Sequence, residues 1–288
     1  MIIIRGIKQM SAYSSKARLR GRCIGFVPTM GALHEGHLSL IRQAGKDNDL
    51  VLVSIFVNPA QFGPKEDLRK YPRTFIRDAR LCKNSGVDVI FYPGIAQMYP
   101  EGYRTYVSVE GLSDCLCGRS RPGHFKGVAT VVAKLFNIVQ PDTAYFGVKD
   151  AQQSVMIRKM VQDLNIPVKI RVMPTVREGS GLALSSRNDY LSLNEKKDAL
   201  ILSRSLSFAE YLIKSGLKDA DRVISAMKQL ILKKRSAKID YISIVDASTL
   251  RPLKKIAGEC LIALAVRIGR TRLIDNVVVK VSLRKDNR

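Results

Sequence analysis

The 288-residue chain has three histidines, and two of them, His34 and His37, stand three residues apart around Gly36. That separation brings both imidazoles to one side of a first helical turn. Before them come Met30-Gly31-Ala32-Leu33 and, earlier, the apolar run Cys23-Ile24-Gly25-Phe26-Val27. The order reads as strand, glycine-bearing turn and helix start, with backbone N–H groups expected to point outward at the positive end of a helix dipole. Such a junction suits phosphate, and two imidazole donors beside it suit a nucleotide polyphosphate. Leu33, His37, Leu40, Ile41 and Ala44 also follow helical spacing, so His37 falls on an apolar stripe, where a hydrogen-bonded core histidine is the competing reading.

A parallel sheet is the element that must hold these residues. Residues 50–57 are continuously apolar and β-branched, as in a strand buried on both faces. Asn58-Pro59-Ala60-Gln61-Phe62-Gly63-Pro64 reads as a loop at the carboxyl end of that strand, where open α/β sheets place ligands. A helix over 74–85, stopped by Gly86, leads to a strand at 87–91. Residues 105–109 alternate like a short strand, 118–127 form a basic, glycine-rich loop, and 128–139 are helical. A strand at 143–148 carries Lys149 and Asp150 at its carboxyl end, followed by a helix over 151–165 and a strand at 167–173. This alternation predicts an α/β chain with a Rossmann-like doubly wound parallel sheet over residues 1–177. Residues 178–192 read as a Gly/Ser-rich linker. Helices over 194–215 and 219–234 and strands at 239–245, 260–268 and 273–281 predict a smaller α+β domain over 178–288, with a frayed tail at 285–288.

No apolar run reaches membrane-span length, and no basic segment precedes an apolar one at the start, so neither a span nor a signal peptide is expected. Five scattered cysteines, at 23, 82, 115, 117 and 260, argue for reduced thiols in a cytoplasm rather than a disulfide framework. The net charge of +23 admits a polyanionic partner such as nucleic acid. The basic residues are spread along the whole chain, however, and Trp is absent, which favours solvated surface lysines and arginines.

The His-x-Gly-His arrangement after a first strand resembles the nucleotidylyltransferase superfamily. The longer string Pro28-Thr29-Met30-Gly31-Ala32-Leu33-His34-Glu35-Gly36-His37 resembles the pantothenate synthetase (pantoate–β-alanine ligase) family more specifically. Four further blocks agree: Ser54 to Gly63; Arg121-Pro122-Gly123-His124-Phe125 onward to Gln153; Val176-Arg177-Glu178 with Gly181 to Asn188; and Arg267 to Asn276. They stand in the family's order over nearly the whole chain.

The resemblance implies a two-step ligation. Pantoate attacks the α-phosphorus of ATP to give pantoyl adenylate and pyrophosphate. β-Alanine then displaces AMP to give pantothenate. By position in these motifs, Met30, Gly31, Ala32, Leu33, His34, Glu35, Gly36 and His37 are expected to hold ATP, joined by Gly147, Val148, Lys149, Asp150 and Val176, and by Leu184, Ser185, Ser186 and Arg187. His37 is the expected proton donor, with His34, Lys149 and Arg187 as its catalytic companions. Gln61, Gln153 and Asn58 are expected at pantoate and β-alanine. Mg²⁺ is expected with ATP, a homodimer by family analogy, and the smaller domain as a lid. Two positions depart from the family pattern. Only Asp78 remains where some members have an acidic cluster, which leaves the metal ligands unassigned, and Ser180 stands where an Asp is usual. Another HxGH-type adenylyl transferase, tRNA-linked given the charge, is the alternative enzyme, and a nucleic-acid binder without turnover is the alternative resting on charge alone. No nucleic-acid or membrane partner is expected under the main reading.

Overall fold

The computed structural model describes residues 1–64 and 66–281, so the 285–288 tail lies outside the described residues. In chain order the elements are β1 (Ile2–Ile4), α1 (Ile7–Leu19), β2 (Ile24–Thr29), α2 (Glu35–Asp47), β3 (Leu50–Ile55), α3 (Phe75–Asn84), β4 (Val89–Phe91), α4 (Ile95–Met98), α5 (Cys117–Ser120), α6 (His124–Val139), β5 (Thr143–Gly147), α7 (Ala151–Asp163), β6 (Lys169–Met173), α8 (Leu193–Lys214), α9 (Ala220–Ile231), β7 (Ala237–Asp246), β8 (Gly258–Ile268) and β9 (Thr271–Val281). Two compact units result. The first comprises residues 1–114, 121–148 and 156–176, and the second 115–120, 149–155 and 177 onward.

The first unit is a parallel sheet in the order β1-β4-β3-β2-β5-β6. From β2 the chain winds one way through β3 and β4, then returns to the other side of β2 for β5 and β6. That reversal opens a crevice at the carboxyl end of β2. Strand alternation sends β2 side chains to both faces. Val27 joins the cluster of Leu40, Ile41 and Ala44 from α2, while its neighbour Phe26 meets Phe136 of α6 edge-on at 6.5 Å. Every residue of β3 is buried, as its uninterrupted apolar run requires.

The second unit packs α8 and α9 against an antiparallel sheet in the order β7-β8-β9. Its core gathers Ile201, Leu202, Leu206, Val223, Met227, Ile262 and Leu264. Ser192 and Glu195 cap α8 reciprocally.

Three expectations change. The strand expected at 105–109 is irregular, because the Val107 N–H bonds the Thr130 hydroxyl (2.9 Å) rather than a neighbouring strand. The helix expected from 128 begins four residues earlier, at His124, with Gly123 left-handed at its N-cap (φ 79°). Residues 178–192 are a folded segment instead of a linker. Glu178 N–H bonds Leu182 O (2.8 Å) around a turn with Gly181 at φ 94°, Arg177 bridges Ala183, and 186–190 form a 3₁₀ turn. Beyond these, β1, α1 and α4 have no counterpart among the expected elements, and the short helix α5 stands where the basic loop was expected to begin.

Candidate active site

At the carboxyl end of β2 the chain turns through two left-handed residues, Gly31 (φ 84°) and Ala32 (φ 50°), before entering α2. Left-handed backbone at Ala32 costs about 1–2 kcal/mol and must be held. Asp78 of α3 holds it. Its carboxylate, 1% exposed, accepts from Ala32 N (2.9 Å), from Leu33 N (2.9 Å) and from the Thr74 hydroxyl (3.2 Å). One residue earlier, Gly31 N bonds the Thr29 hydroxyl at 3.2 Å. The expectation that these N–H groups point outward is therefore corrected. They point inward, onto a buried carboxylate and a buried hydroxyl, because a turn this strained needs every internal partner it can find.

The helix start is closed by the histidines themselves. His34 is the N-cap of α2, and its Nδ1 accepts from Gly36 N (3.2 Å). In return His37 Nδ1 accepts from His34 N (3.3 Å). This is a capping box with imidazoles in place of Ser and Glu. An accepting Nδ1 carries no proton, so in the neutral state both rings hold theirs on Nε2. The rings lie 4.1 Å apart between centroids, and both residues are half-buried. Gly36 is required by this packing: a Cβ there would sit 2.9 Å from His34 Nδ1.

Gln61 closes the short 3₁₀ turn after β3 and is buried. Its Nε2 lies 3.1 Å from the Met30 sulfur, which aims the amide N–H groups at the carboxyl end of β2. Asn58 fixes the other end of that amide. Asn58 Nδ2 donates to Gln61 Oε1 (3.1 Å) and to Gly127 O (3.1 Å), while its Oδ1 accepts from the Tyr99 hydroxyl (2.8 Å) and from Ala60 N (3.3 Å). All four hydrogen-bonding positions of Asn58 are thereby used. Burial, and the neighbouring Tyr103 and Tyr106, push the Tyr99 hydroxyl well above its ordinary pKa, so it stays a neutral donor to Asn58. Gly127 lets α6 reach this turn, since a Cβ there would lie 2.2 Å from Ala60 O.

A cavity of about 270 Å³ opens beside the turn, bordered by Met30, Gly31, Arg73, Asp78 and Tyr92, with the Arg5 guanidinium 4.8 Å above the Tyr92 ring. Gly147 and Val148 stand at the carboxyl end of β5, and Val176 follows β6, all in this first unit.

The remaining expected residues belong to the second unit. Lys149 Nζ lies 3.7 Å from Asp150 Oδ2, and Asn276 Nδ2 holds the Lys149 carbonyl at 2.8 Å. Gln153 is half-buried in the first turn of α7. Ser185 accepts from Arg187 N (3.3 Å), starting the 3₁₀ turn that carries Ser186 and Arg187, with Leu184 just before it. Asn188 ties this turn to Ala183 O (3.1 Å) and Glu178 (3.2 Å). Arg177 grips the buried Asp275 with two bonds of 2.7 and 2.9 Å. Ser180, in the tight turn before Gly181, lies 3.5 Å from Glu178 Oε2.

A sequence model of the pantoate–β-alanine ligase family matches residues 2–278. The chain belongs to the pantoate–β-alanine ligase family. Its activity is the joining of pantoate to β-alanine. It is 57% identical over 281 residues to a pantothenate synthetase of Heliobacterium modesticaldum, covering 98% of this chain and all of the relative. A pantothenate synthetase of Moorella thermoacetica is 56% identical over 282 residues, with the same coverage. Among solved structures, the pantothenate synthetase of Thermus thermophilus superposes with a TM-score of 0.91 at 44% identity, covering 96% of this chain and 99% of that one. The Francisella tularensis pantoate–β-alanine ligase, complexed with β,γ-ATP and β-alanine, gives 0.79 at 38%, covering 96% and 97%.

The sequence reading of this ligase missed Asp78 as the clamp of the turn, Tyr99 as the partner of Asn58, and Asp275 and Asn276 as supports of Arg177 and Lys149. Asp78 left a signal: a lone carboxylate on α3 among arginines, on the turn-facing side of an amphipathic helix.

Proposed function

We propose that this ligase works through a pantoyl adenylate, with (R)-pantoate attacking the α-phosphorus of ATP and β-alanine then attacking the activated carbonyl. The reading is carried by one observation: two imidazoles pair at the start of α2, at the carboxyl end of β2, with Nδ1 of each turned onto the backbone, so both rings hold their proton on Nε2, the nitrogen that donates to an anion. The backbone N–H groups of Gly31, Ala32 and Leu33 are already taken, so phosphate recognition at this turn falls to side chains. His34 and His37 donate hydrogen bonds to the phosphates through Nε2, and the bond from His37 stabilises the charge that builds as pyrophosphate leaves. Lys149 and Arg187 supply the cationic charge that the joining of two anions demands. Met30 to His37, Gly147, Val148, Asp150, Val176 and Leu184 to Ser186 complete the nucleotide's surroundings.

Gln61 and Gln153 bind pantoate. An amide offers both a donor and an acceptor to a carboxylate that also carries hydroxyls. Asn58, with all of its hydrogen bonds spent, acts by orienting Gln61.

Mg²⁺ enters as part of the ATP substrate, held by phosphate oxygens and water. Asp78 spends three hydrogen bonds on the turn and on Thr74, so its first role is to hold Ala32 and Leu33. No group of three His, Cys, Asp or Glu suited to a metal occurs among the described residues. We place the enzyme in the cytoplasm as a homodimer. The five free thiols suit that compartment, and sedimentation tests the dimer.

The experiment is single-turnover pyrophosphate release from MgATP. Release with pantoate alone, followed by AMP and pantothenate only when β-alanine is added, supports the adenylate route. Release that waits for β-alanine refutes it.

A further inference from the structure

The third histidine sits outside every role assigned above, yet its bonds end on Gln61. His124 Nδ1 lies 2.7 Å from the Gln61 carbonyl oxygen. A carbonyl only accepts, so Nδ1 carries the proton. His124 Nε2 lies 2.9 Å from Arg121 Nη1. A guanidinium only donates, so Nε2 carries the lone pair. Both bonds are satisfied together by one state alone, the neutral ring protonated on Nδ1.

Arg121 is fixed in turn. Its Nε and Nη2 grip the two oxygens of Glu66 at 2.7 and 2.6 Å. Burial acts to raise the Glu66 carboxyl, but the bonds and charge of Arg121 hold it below its ordinary value, so the pair stays ionised at neutral pH. Arg121, in the turn that enters α6, is three residues before His124 at the helix start, and His124 N bonds Arg121 O at 3.1 Å. The two side chains therefore grip the two ends of one short segment, Gln61 at its start and Glu66 at its close. Asn58 orients the Gln61 side chain, and His124 holds its backbone.

We infer that His124, oriented by Arg121 and Glu66, is a positioning residue that sets Gln61 for pantoate. This rests on the reading that Gln61 binds pantoate. His124 touches no reacting atom; it holds the Gln61 backbone, so the amide meets the substrate without first being ordered.

The test compares two isosteres. Asn reproduces the Nδ1 side of histidine and Gln the Nε2 side. H124N keeps a donor for the Gln61 carbonyl, whereas H124Q keeps only an acceptor for Arg121. Steady-state KM for pantoate and for ATP is measured for both variants and for Q61A, with denaturant midpoints to confirm folding. Loss of one buried hydrogen bond predicts that H124Q raises the pantoate KM about tenfold, with the ATP KM within about threefold of wild type. H124N is expected to restore the pantoate KM to within about threefold. A support of the fold alone would not separate the isosteres, nor pantoate from ATP. Equal behaviour of H124N and H124Q, or an ATP KM that rises with the pantoate KM, overturns the inference. If Q61A leaves the pantoate KM unchanged, the pantoate reading of Gln61 falls and the inference with it. If Q61A raises it and H124Q does not, the inference alone falls. Should H124Q not fold, R121Q asks the same question by unpinning the ring; a rise of about three- to tenfold in pantoate KM is expected, and no change overturns the inference.

Discussion

Replacing Asp78 with asparagine tests how the turn before α2 is held. The substitution keeps the shape and one carbonyl oxygen, but it sets an NH₂ group where an oxygen accepts a backbone N–H. Either Ala32 N or Leu33 N, each 2.9 Å from the carboxylate, then faces a donor. Losing one bond to a charged acceptor removes about 1.5–3 kcal/mol, and the orphaned N–H adds about 1–3 kcal/mol. Relief of the buried charge at Asp78 offsets part of this, leaving a net loss of about 2–4 kcal/mol. With one of the two bonds gone, the strain at Ala32, about 1–2 kcal/mol, is held less firmly, so the turn relaxes and carries His34 and His37 out of register. Urea unfolding should show the lowered midpoint with an unchanged slope. Pantoate-dependent pyrophosphate release from folded Asp78→Asn should fall by about tenfold or more, at any Mg²⁺ concentration. Wild-type stability and release would refute the clamp. Recovery of activity by excess Mg²⁺ would show that the carboxylate serves a metal instead.

Three other substitutions separate roles that the geometry combines. His34→Asn retains an N-cap acceptor but no Nε2–H, so stability should stay within about 0.5 kcal/mol while single-turnover adenylate formation drops by about 10–100-fold. Gly127→Ala brings a Cβ within 2.2 Å of Ala60 O and 2.6 Å of Gln61 N; calorimetric titration should show weakened pantoate binding, alongside a destabilisation of about 1–3 kcal/mol. Arg177→Ala strands Asp275, whose side chain is 2% exposed, and should cost about 3–5 kcal/mol in a denaturant melt. Adding Asp275→Asn to Arg177→Ala should recover part of that loss, and an additive double variant would exclude the pair.

Much of the fold could be read from periodicity. The β3 run is apolar throughout because both of its faces are covered, and α9 begins at Asp219 because that side chain caps Arg222 N. The elements that escaped are those in which packing replaces pattern. α1 buries only Met10, Ser14 and Ala17 and carries no acidic first turn, and β1 is three residues at the sheet edge. Residues 105–109 show the converse case, alternation without a strand to pair with. At the site, the sequence indicates which residue types gather but not where their hydrogen bonds end. The partners of Ala32 and Leu33 lie 46 and 45 residues downstream, and that of the Gln61 carbonyl lies 63 residues downstream. The N–H groups of this strand–turn–helix junction turn inward for the same reason: the general rule leaves such donors to a ligand, whereas here a distant carboxylate claims those of Ala32 and Leu33.

The three histidines show how local bonding sets chemistry. All three rings are neutral in the bonding described, yet they hold their protons on opposite nitrogens. His34 and His37 accept from the backbone at Nδ1, so the proton sits on Nε2. His124 donates at Nδ1 to a carbonyl and accepts at Nε2 from a guanidinium, so both nitrogens are engaged within the protein. The same side chain thus holds its proton on Nε2 at the start of α2 and acts as a strut at the start of α6. The difference is made by what Nδ1 meets, a backbone N–H in the first case and a backbone C=O in the second. Gly36 is needed for the first arrangement because the His34 ring must fold onto the helix start, and Gly127 for the second because α6 must reach the turn of Gln61. A glycine that permits close approach therefore decides, through the bond it allows, which nitrogen of a histidine holds the proton.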